Sequence, residues 1–415
     1  MAFVRSTDSL RLDPRLTWIA RARPLLRRLA AHAGTHPDPV RFIGGCVRNA
    51  LIDQPVQDVD IATILPPQEV LAVGEAMGIK THPIGLAHGT VTVVLDGTNY
   101  EVTTLRRDIA TDGRHAQVAF TDDWQEDARR RDFTFNALSA NDRGAVFDPF
   151  DGIADLRAGI VRFIGDPKQR IEEDYLRMLR FFRFLALFGQ VPPDPKVLTI
   201  IRRAASNLAR LAPERVAYEL LRLLAAPDPV PALIAAQETG LDVLGFAGDH
   251  ASLARLIALP HEPDPLLRLG ALLPVREAES HDPGMMAETL ASRLRLSRRQ
   301  TGRLRTLAFY KTMTWQAQEI QGLLLNEGRT AAIDAAAMAG ARGGPRDLLT
   351  LAQDAPAPPF PLSGDDLTDL GLLPGPIIGQ VLDQVREWWT QEGGSPDHAA
   401  CLNHARALIG DEPDL

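Results

Sequence analysis

Cysteine is scarce: Cys46 and Cys401 are the only two in 415 residues. Two thiols cannot build a disulfide framework or a four-thiolate zinc site, and their rarity fits a reducing cytoplasm. Long apolar runs are also missing. No segment approaches the roughly 20 residues of a membrane span, and no secretory-type apolar stretch stands near the N-terminus. Aromatic residues make up 6% of the chain, so any nucleic-acid surface is expected to rely on shape and phosphate contacts more than on stacking. There is no repeat period and no long low-complexity tract. A formal net charge of -8 argues against a histone-like binder but leaves room for local basic patches. What is present is ordinary: 45% hydrophobic and 24% charged residues. At about 150 residues per domain, that length suggests two or three modules.

The first third reads as mixed α/β. The Arg-rich run from Leu16 to Ala31 has the pattern of an amphipathic first helix packed on the domain. Val40–Ile43 is short and β-rich, Asp58–Thr63 alternates with period two, and Thr90–Leu95 and Tyr100–Leu105 flank the turn signal Asp96-Gly97-Thr98-Asn99. Beyond Asp166-Pro167 the strand signals fade. Arg170–Phe188 and Glu214–Leu224 show helical spacing, broken by prolines, and 355–361 (APAPPFP) reads as a linker. The fold expected is α+β: a head with a small mixed or antiparallel sheet, followed by an all-helical neck, body and tail. The boundaries expected are 1–150, 151–235, 236–354 and 355–415.

Gly44-Gly45-Cys46-Val47-Arg48 stands where a strand gives way to a helix. Glycines there let backbone N–H groups approach a phosphate, and Arg48 adds a full positive charge. By itself the pair is more often just a plain turn. Asp58 and Asp60 lie two apart on a β pattern, so both carboxylates project from one face. Two like charges that close repel unless a cation lies between them, and hard oxygen donors on a strand suit Mg²⁺. The other reading is a solvated strand edge. Glu101 opens a further strand and is a candidate third carboxylate, or simply an exposed strand-end glutamate.

Taken in order, these segments resemble the class II tRNA nucleotidyltransferases and bacterial poly(A) polymerases. Gly44-Gly45-x-Val47-Arg48 followed by Asp58-x-Asp60 resembles the family's catalytic signature. Asp112-Gly113-Arg114-His115 is similar to its flexible loop, and Arg130-Arg131-Asp132-Phe133-Thr134-Phe135-Asn136-Ala137 to its ribose and triphosphate motif. Residues 148–156 resemble the head–neck connection, and Glu173-Asp174-x-x-Arg177-Met178-Leu179-Arg180 the helix that reads the base. The resemblance spans roughly residues 40–190.

It implies a template-independent, Mg²⁺-dependent enzyme that adds or repairs the 3′-terminal C-C-A of tRNA from CTP and ATP. Asp58 and Asp60 would hold the metals, with Glu101 a candidate. Gly44, Gly45, Arg48, Arg130, Arg131, Asp132 and Asn136 would contact triphosphate and ribose. Asp174, Arg177 and Arg180 would meet the base, and Asp112 and Arg114 would belong to the flexible loop. The loop and Gly85-x-x-His88-Gly89-Thr90-Val91 resemble tRNA nucleotidyltransferases more than poly(A) polymerases. Asp174 and Arg177 are three apart, on one face if both are helical. Arg170, Asp174, Arg177 and Arg180 would then form one basic helix face. The alternatives are a poly(A) polymerase and, in another class, a non-catalytic RNA-binding module.

A net acidic chain that holds a polyanion must concentrate its positive charge. Residues 291–311 carry Arg293, Arg295, Arg298, Arg299, Arg303, Arg305 and Lys311 with no acidic residue. If Ser297 caps a helix, Arg298, Arg299, Arg303 and Arg305 fall within an arc of about 160°, opposite Leu304 and Leu307. That outer face is the expected RNA contact, and removing charge at Arg298, Arg299 and Arg303 is expected to flatten the salt dependence of tRNA binding.

Overall fold

The computed structural model describes residues 3–6, 9–83, 85–86, 89–111, 116–274 and 282–411. Its contacts divide it into two compact units, Met1–Leu211 with Ala235–Asp242, and Ala212–Ile234 with Val243–Leu415.

The first unit carries the strands. β1 (Phe3–Ser6) and β2 (Ser9–Leu12) pair as a hairpin. The main sheet is built from β3 (Val40–Ile43), β4 (Asp60–Thr63), β5 (Lys80–His82), β6 (Thr90–Leu95) and β7 (Thr98–Thr104). A second hairpin, β8 (Arg106–Thr111) and β9 (Ala116–Phe120), follows, and the short strands β10 (Ser139–Ala140) and β11 (Val146–Phe147) return to the main sheet. Its order is β11-β10-β3-β4-β7-β6-β5. β4 and β7 run parallel and the other neighbouring strands antiparallel, so the mixed sheet expected of the head is present. The β6–β7 turn is tighter than its four-residue signal suggested. Leu95 pairs with Thr98, leaving Asp96 and Gly97 at φ 49° and 75°, the two positive φ values of a type I′ turn.

Alternation in these strands separates an apolar face from a polar one. Phe42, Ile61, Val102 and Val91 pair in a row across β3, β4, β7 and β6, and all four are fully buried. Helices α1 (Thr17–His32), α2 (Gly45–Leu51), α3 (Pro67–Ala76), α4 (Trp124–Arg129), α5 (Gly152–Ala158), α6 (Pro167–Glu173), α7 (Leu176–Phe188) and α8 (Pro195–Ala204) lie in the same unit. The Arg-rich N-terminal segment is α1, which buries Ile19, Ala22, Leu25, Leu26 and Leu29 at helical spacing.

The second unit is helical throughout its regular structure. Its helices are α9 (Pro213–Leu224), α10 (Val230–Glu238, whose last turn belongs to the first unit), α11 (His250–Ile257) and α12 (Pro265–Leu272). Then come α13 (Pro283–Arg293), α14 (Arg298–Thr312), α15 (Ala317–Asn326), α16 (Arg329–Ala341) and α17 (Asp347–Asp354). The chain ends with α18 (Gly364–Asp369), α19 (Pro376–Gln391) and α20 (His398–Asp411). The proline-rich stretch before α18 has no regular structure, yet Phe360 stacks edge-on against the buried Trp389 at 5.5 Å. No helix among the described residues is long and apolar enough to cross a membrane.

At residues 148–156 backbone meets backbone. Asp148 accepts from the N–H groups of Gly152 and Ile153 at 2.8 and 2.9 Å, and the Thr134 hydroxyl donates to the buried Asp155 at 2.7 Å. A Cβ at Gly152 would lie 2.4 Å from the Thr134 carbonyl oxygen. Backbone cannot swing aside as a side-chain end can, so Gly152→Ala should lower stability by about 1–3 kcal/mol. Denaturant unfolding of both proteins tests this; equal midpoints would show that the contact relaxes without cost.

Candidate active site

On the polar face of the sheet, Thr92, Glu101 and Asp60 lie in register across β6, β7 and β4. Asp58 stands two residues before Asp60, just ahead of β4, with the buried Val59 between them. Asp58 and Glu101 are exposed and Asp60 is half-buried. Burial, then Glu101, pushes the Asp60 carboxyl up to about 6; Asp58 adds to the rise and Arg131 opposes it. Asp58, Asp60 and Glu101 therefore act on one charge environment, short of cations. Among the described residues, no three His, Cys, Asp or Glu side chains gather closely enough to hold a metal ion unaided, so the three do not close a cage.

The glycine turn faces the same region. Gly44 (φ 71°) precedes α2 and donates its N–H to the Leu138 carbonyl at 2.8 Å. A Cβ there would sit 3.6 Å from the Asn136 carbonyl and 3.7 Å from an Arg131 nitrogen, so that guanidinium lies over the turn. The thiol of the buried Cys46 is pushed up to about 12, chiefly by burial. It stays protonated and is no nucleophile.

Arg130 and Arg131 do not diverge as adjacent helical residues would. Both lie past the end of α4 and grip one carboxylate by its two oxygens, Arg130 at 2.6 Å and Arg131 at 3.1 Å on Asp127. Asp127 is almost wholly buried. Burial works against its charge, but Arg131 and Arg130 hold its carboxyl below the usual range. Burial brings Arg130 down to about 10, still charged at neutral pH. Asp127 is not among the residues read from sequence, although its i,i+3 and i,i+4 spacing to the two arginines is a signal for it.

A second buried carboxylate organises the next group. Asp132 accepts from its neighbour Phe133 N–H at 2.8 Å, from the Asn136 amide at 2.9 Å and from Arg180 Nε at 2.6 Å. Burial opposes its charge, and Arg180 and Asn136 hold it ionised. The Asn136 side-chain Oδ1 in turn accepts from Arg48. The Arg48 guanidinium lies 5.2 and 4.9 Å from the ring centroids of Phe184 and Phe188, on aromatic faces that favour a cation. Burial, with Arg183 nearby, lowers it to about 10.

The segment expected to read the base departs from the expected single helix. Asp174 is extended (φ -152°) and separates α6 from α7, because its carboxylate accepts from Leu176 N–H at 3.1 Å. An aspartate that bonds two residues ahead competes with helix continuation. Arg170 thus lies on α6, and Arg177 and Arg180 on α7, so the four do not share one helix face. Asp174 and Arg177 stay one turn apart, with Arg177 N–H donating to the Asp174 carbonyl at 2.9 Å. Glu173 holds both Arg170 and Arg177, the latter at 2.7 Å. Arg177 also donates to the Arg130 carbonyl at 3.1 Å, tying the segment to the Asp127 cluster.

The flexible-loop residues Asp112 and Arg114 lie outside the described residues; β8 and β9, which sequence reading missed, frame that stretch. In the second unit, Ser297 does cap α14, in a box with Gln300, and Leu304 and Leu307 are buried. Arg298, Arg299 and Arg305 are exposed. Arg303 is not on the outer face: it binds Asp334 through two N–H groups, each at 2.8 Å, and Asp264 at 2.7 Å. Lys311 is buried, donating to Asp249 and to the carbonyls of Ala271 and Leu273. These partners come from distant segments, which spacing along one helix cannot reveal.

Residues 40–162 match the poly A polymerase head domain, and residues 192–242 match the probable RNA and SrmB-binding site of polymerase A. The chain is 34% identical over 371 residues to the Mus musculus CCA tRNA nucleotidyltransferase 1, mitochondrial, across 85% of this chain and 83% of that protein. It is 33% identical over 397 residues to the CCA-adding enzyme of Levilactobacillus brevis, across 92% of this chain and 96% of that one. The chain belongs to the CCA tRNA nucleotidyltransferase family. The crystal structure of the Bacillus stearothermophilus CCA-adding enzyme in complex with CTP superposes with a TM-score of 0.71 at 27% identity, covering 95% of this chain and 99% of that one. The Thermotoga maritima CCA-adding enzyme complexed with tRNA shares the fold, with a TM-score of 0.62 at 19% identity.

Enzymes of the CCA tRNA nucleotidyltransferase family use divalent metal ions, and the Asp58, Asp60 and Glu101 oxygens are suitable donors. A protonated carboxyl cannot ligate, so if Asp60 is a donor, cation and proton compete there. Divalent-cation affinity should fall about tenfold per pH unit below about 6, and Asp60→Asn should remove that dependence. Calorimetric titration with Mn²⁺ reads it; an affinity constant down to about pH 5 would refute the shift. The stability sign is the reverse. A raised carboxyl stabilises the metal-free protein fully below the unfolded value of about 4, and this is lost as pH rises through about 6.

Proposed function

We propose that this chain completes the 3′ end of tRNA, adding C, C and A from CTP and ATP without a template. The observation that carries the reading is the carboxylate row of Asp60 and Glu101 beside Arg131 and the Gly44 turn. It lies in a chain that aligns with CCA tRNA nucleotidyltransferases over most of its length. Mg²⁺ is the proposed metal, held by Asp58 and Asp60 with Glu101 as a further candidate. When bound, it would lower the pKa of the attacking hydroxyl and neutralise charge on the triphosphate.

Gly44, Gly45, Arg48, Arg130 and Arg131 are proposed to receive the triphosphate. Asp132 and Asn136 are proposed at the ribose, and Asp112 and Arg114 in the loop that serves A addition. Asp174 and Arg177 are proposed to replace a template. Cytosine and adenine both place an amino donor beside a ring-nitrogen acceptor, whereas uracil and guanine reverse that order. A carboxylate beside a guanidinium therefore accepts the first pair and leaves buried polar groups unpaired with the second. Arg180 is proposed beside them at the base; Glu173 pairs with Arg177, and Arg180 with Asp132. The finer division at 1–150, 151–235, 236–354 and 355–415 is proposed to follow the same tasks: catalysis, base reading, and tRNA binding by the last two. A cytoplasmic setting is also proposed, supported by two unpaired, buried cysteines.

Purified protein given a tRNA lacking C-C-A and all four nucleotides should yield products ending in C-C-A, read by sequencing. Long A tails would instead identify a poly(A) polymerase. Asp58→Ala with Asp60→Ala should abolish incorporation while leaving tRNA binding intact, and residual turnover would refute the metal assignment.

On α14, Arg298 and Arg299 are proposed RNA contacts together with Arg305, whose guanidinium is shared with Glu288. Replacing Arg298 or Arg299 by Gln should reduce the salt slope of tRNA binding by about one each. Arg303→Gln should lower stability, because it leaves Asp264 and Asp334 facing each other. A slope that falls for Arg303 and not for Arg298 would reverse this assignment.

A further inference from the structure

The outer face of α9 carries an aromatic ring that nothing in the fold requires. Tyr218 is 56% exposed, while its helix buries Val216, Ala217, Leu220, Leu223 and Leu224 on the opposite side. At about 100° per residue, Arg215, Tyr218 and Arg222 fall within an arc of about 60°. The ring is also oriented. Arg222 donates to the Tyr218 hydroxyl at 2.7 Å, and its guanidinium carbon lies 5.3 Å from the ring centroid. An exposed aromatic side chain would otherwise turn among rotamers; here one guanidinium grips both its tip and its face.

The surrounding charge fits a polyanion. Arg215 and Arg222 are exposed. Glu214 at the edge of the face is held by Arg295 at 2.9 Å, which links α9 to the loop just before α14 and its exposed Arg298 and Arg299. The result is a basic surface within the second unit with a flat ring in it, and the exposed Glu214 at its edge is already paired.

We infer that Tyr218 is a stacking platform for a nucleobase of the tRNA substrate, with Arg215 and Arg222 taking the adjacent phosphates. The inference rests on the tRNA reading above and adds a positioning residue to it. Base–aromatic stacking is sequence-tolerant, so such a contact suits an enzyme that must hold every tRNA by shape.

The test compares wild type with Tyr218→Ala, Tyr218→Phe and Tyr218→Trp on full chains whose thermal midpoints match. Tyr218→Ala should raise the tRNA Kd and the KM for tRNA by roughly tenfold. The KM for CTP, the kcat at saturating tRNA and the salt slope should not change. Tyr218→Phe and Tyr218→Trp should keep wild-type affinity, and emission from the introduced tryptophan should be quenched when tRNA is added. Arg222→Gln, by contrast, should lower the salt slope. An active wild type with an unchanged tRNA Kd in Tyr218→Ala overturns the inference and leaves the function standing. A wild type that neither binds nor extends tRNA overturns the function, and this inference with it.

Discussion

Arginines crowd together in the first unit closely enough to disturb one another's ionisation, and buried carboxylates make that arrangement possible. Arg130 is destabilised by Arg131 and Arg106, and Arg48 by Arg183 and Arg180. Left alone, such guanidiniums would repel and turn to solvent. Asp127 takes Arg130 and Arg131, Asp132 takes Arg180 and, through Asn136, Arg48, and Glu173 takes Arg170 and Arg177. Positive charges outnumber these anchors, so the cluster keeps a surplus of positive charge. Because the side chains are already fixed, little rotamer entropy would remain to be lost if a triphosphate bound there as proposed.

The cluster meets its opposite at Asp60. There the sheet gathers negative charge, with Glu101 directly across the parallel β4–β7 pair and Asp58 two residues upstream. Arg131 lowers the cost at Asp60 while its other contact is Asp127, so one guanidinium joins the acidic row to the basic cluster. Nucleotidyl transfer needs such a junction. In the proposed reading, a triphosphate would lie on the arginines at one end and present its α-phosphorus to the carboxylates at the other. The glycine turn beside Arg131 leaves room for that approach, since a side chain at Gly44 would fill the space next to the guanidinium.

Much of this was legible in sequence where the signal was local. The β pattern from Asp60 to Thr63, the Gly44-Gly45 turn, the Asp96-Gly97 hairpin and the Ser297 cap each depend on a few neighbouring residues, and each stands in the fold, whereas Asp58 lies just ahead of the strand expected to carry it. Local signals fail where a distant or competing group decides. Arg170, Asp174, Arg177 and Arg180 have helical spacing, but the Asp174 carboxylate prefers the Leu176 N–H, and the helix breaks there. Arg303 has the spacing of an outer-face residue, but Asp264 and Asp334 claim it from other helices. Asp127 was passed over because its importance is burial, which its spacing alone does not reveal.

The contrast between Arg303 and its neighbours bears on how a chain of net charge -8 can hold a polyanion. At physiological ionic strength, exposed charges are screened beyond about 8 Å, so RNA responds to the patch it touches and hardly to the sum over the surface. Within a patch, each arginine counts only for the charge it has left to give. Arg303 has two buried or half-buried carboxylates and gives nothing. Arg305 and Arg295 are each held by one exposed glutamate; trading that partner for a phosphate releases fewer counterions than a solvated arginine would. Among the described residues, no carboxylate pairs with Arg298 or Arg299. The electrostatic share of binding on α14 should therefore be concentrated in the first turn of that helix, although basic residues run its whole length.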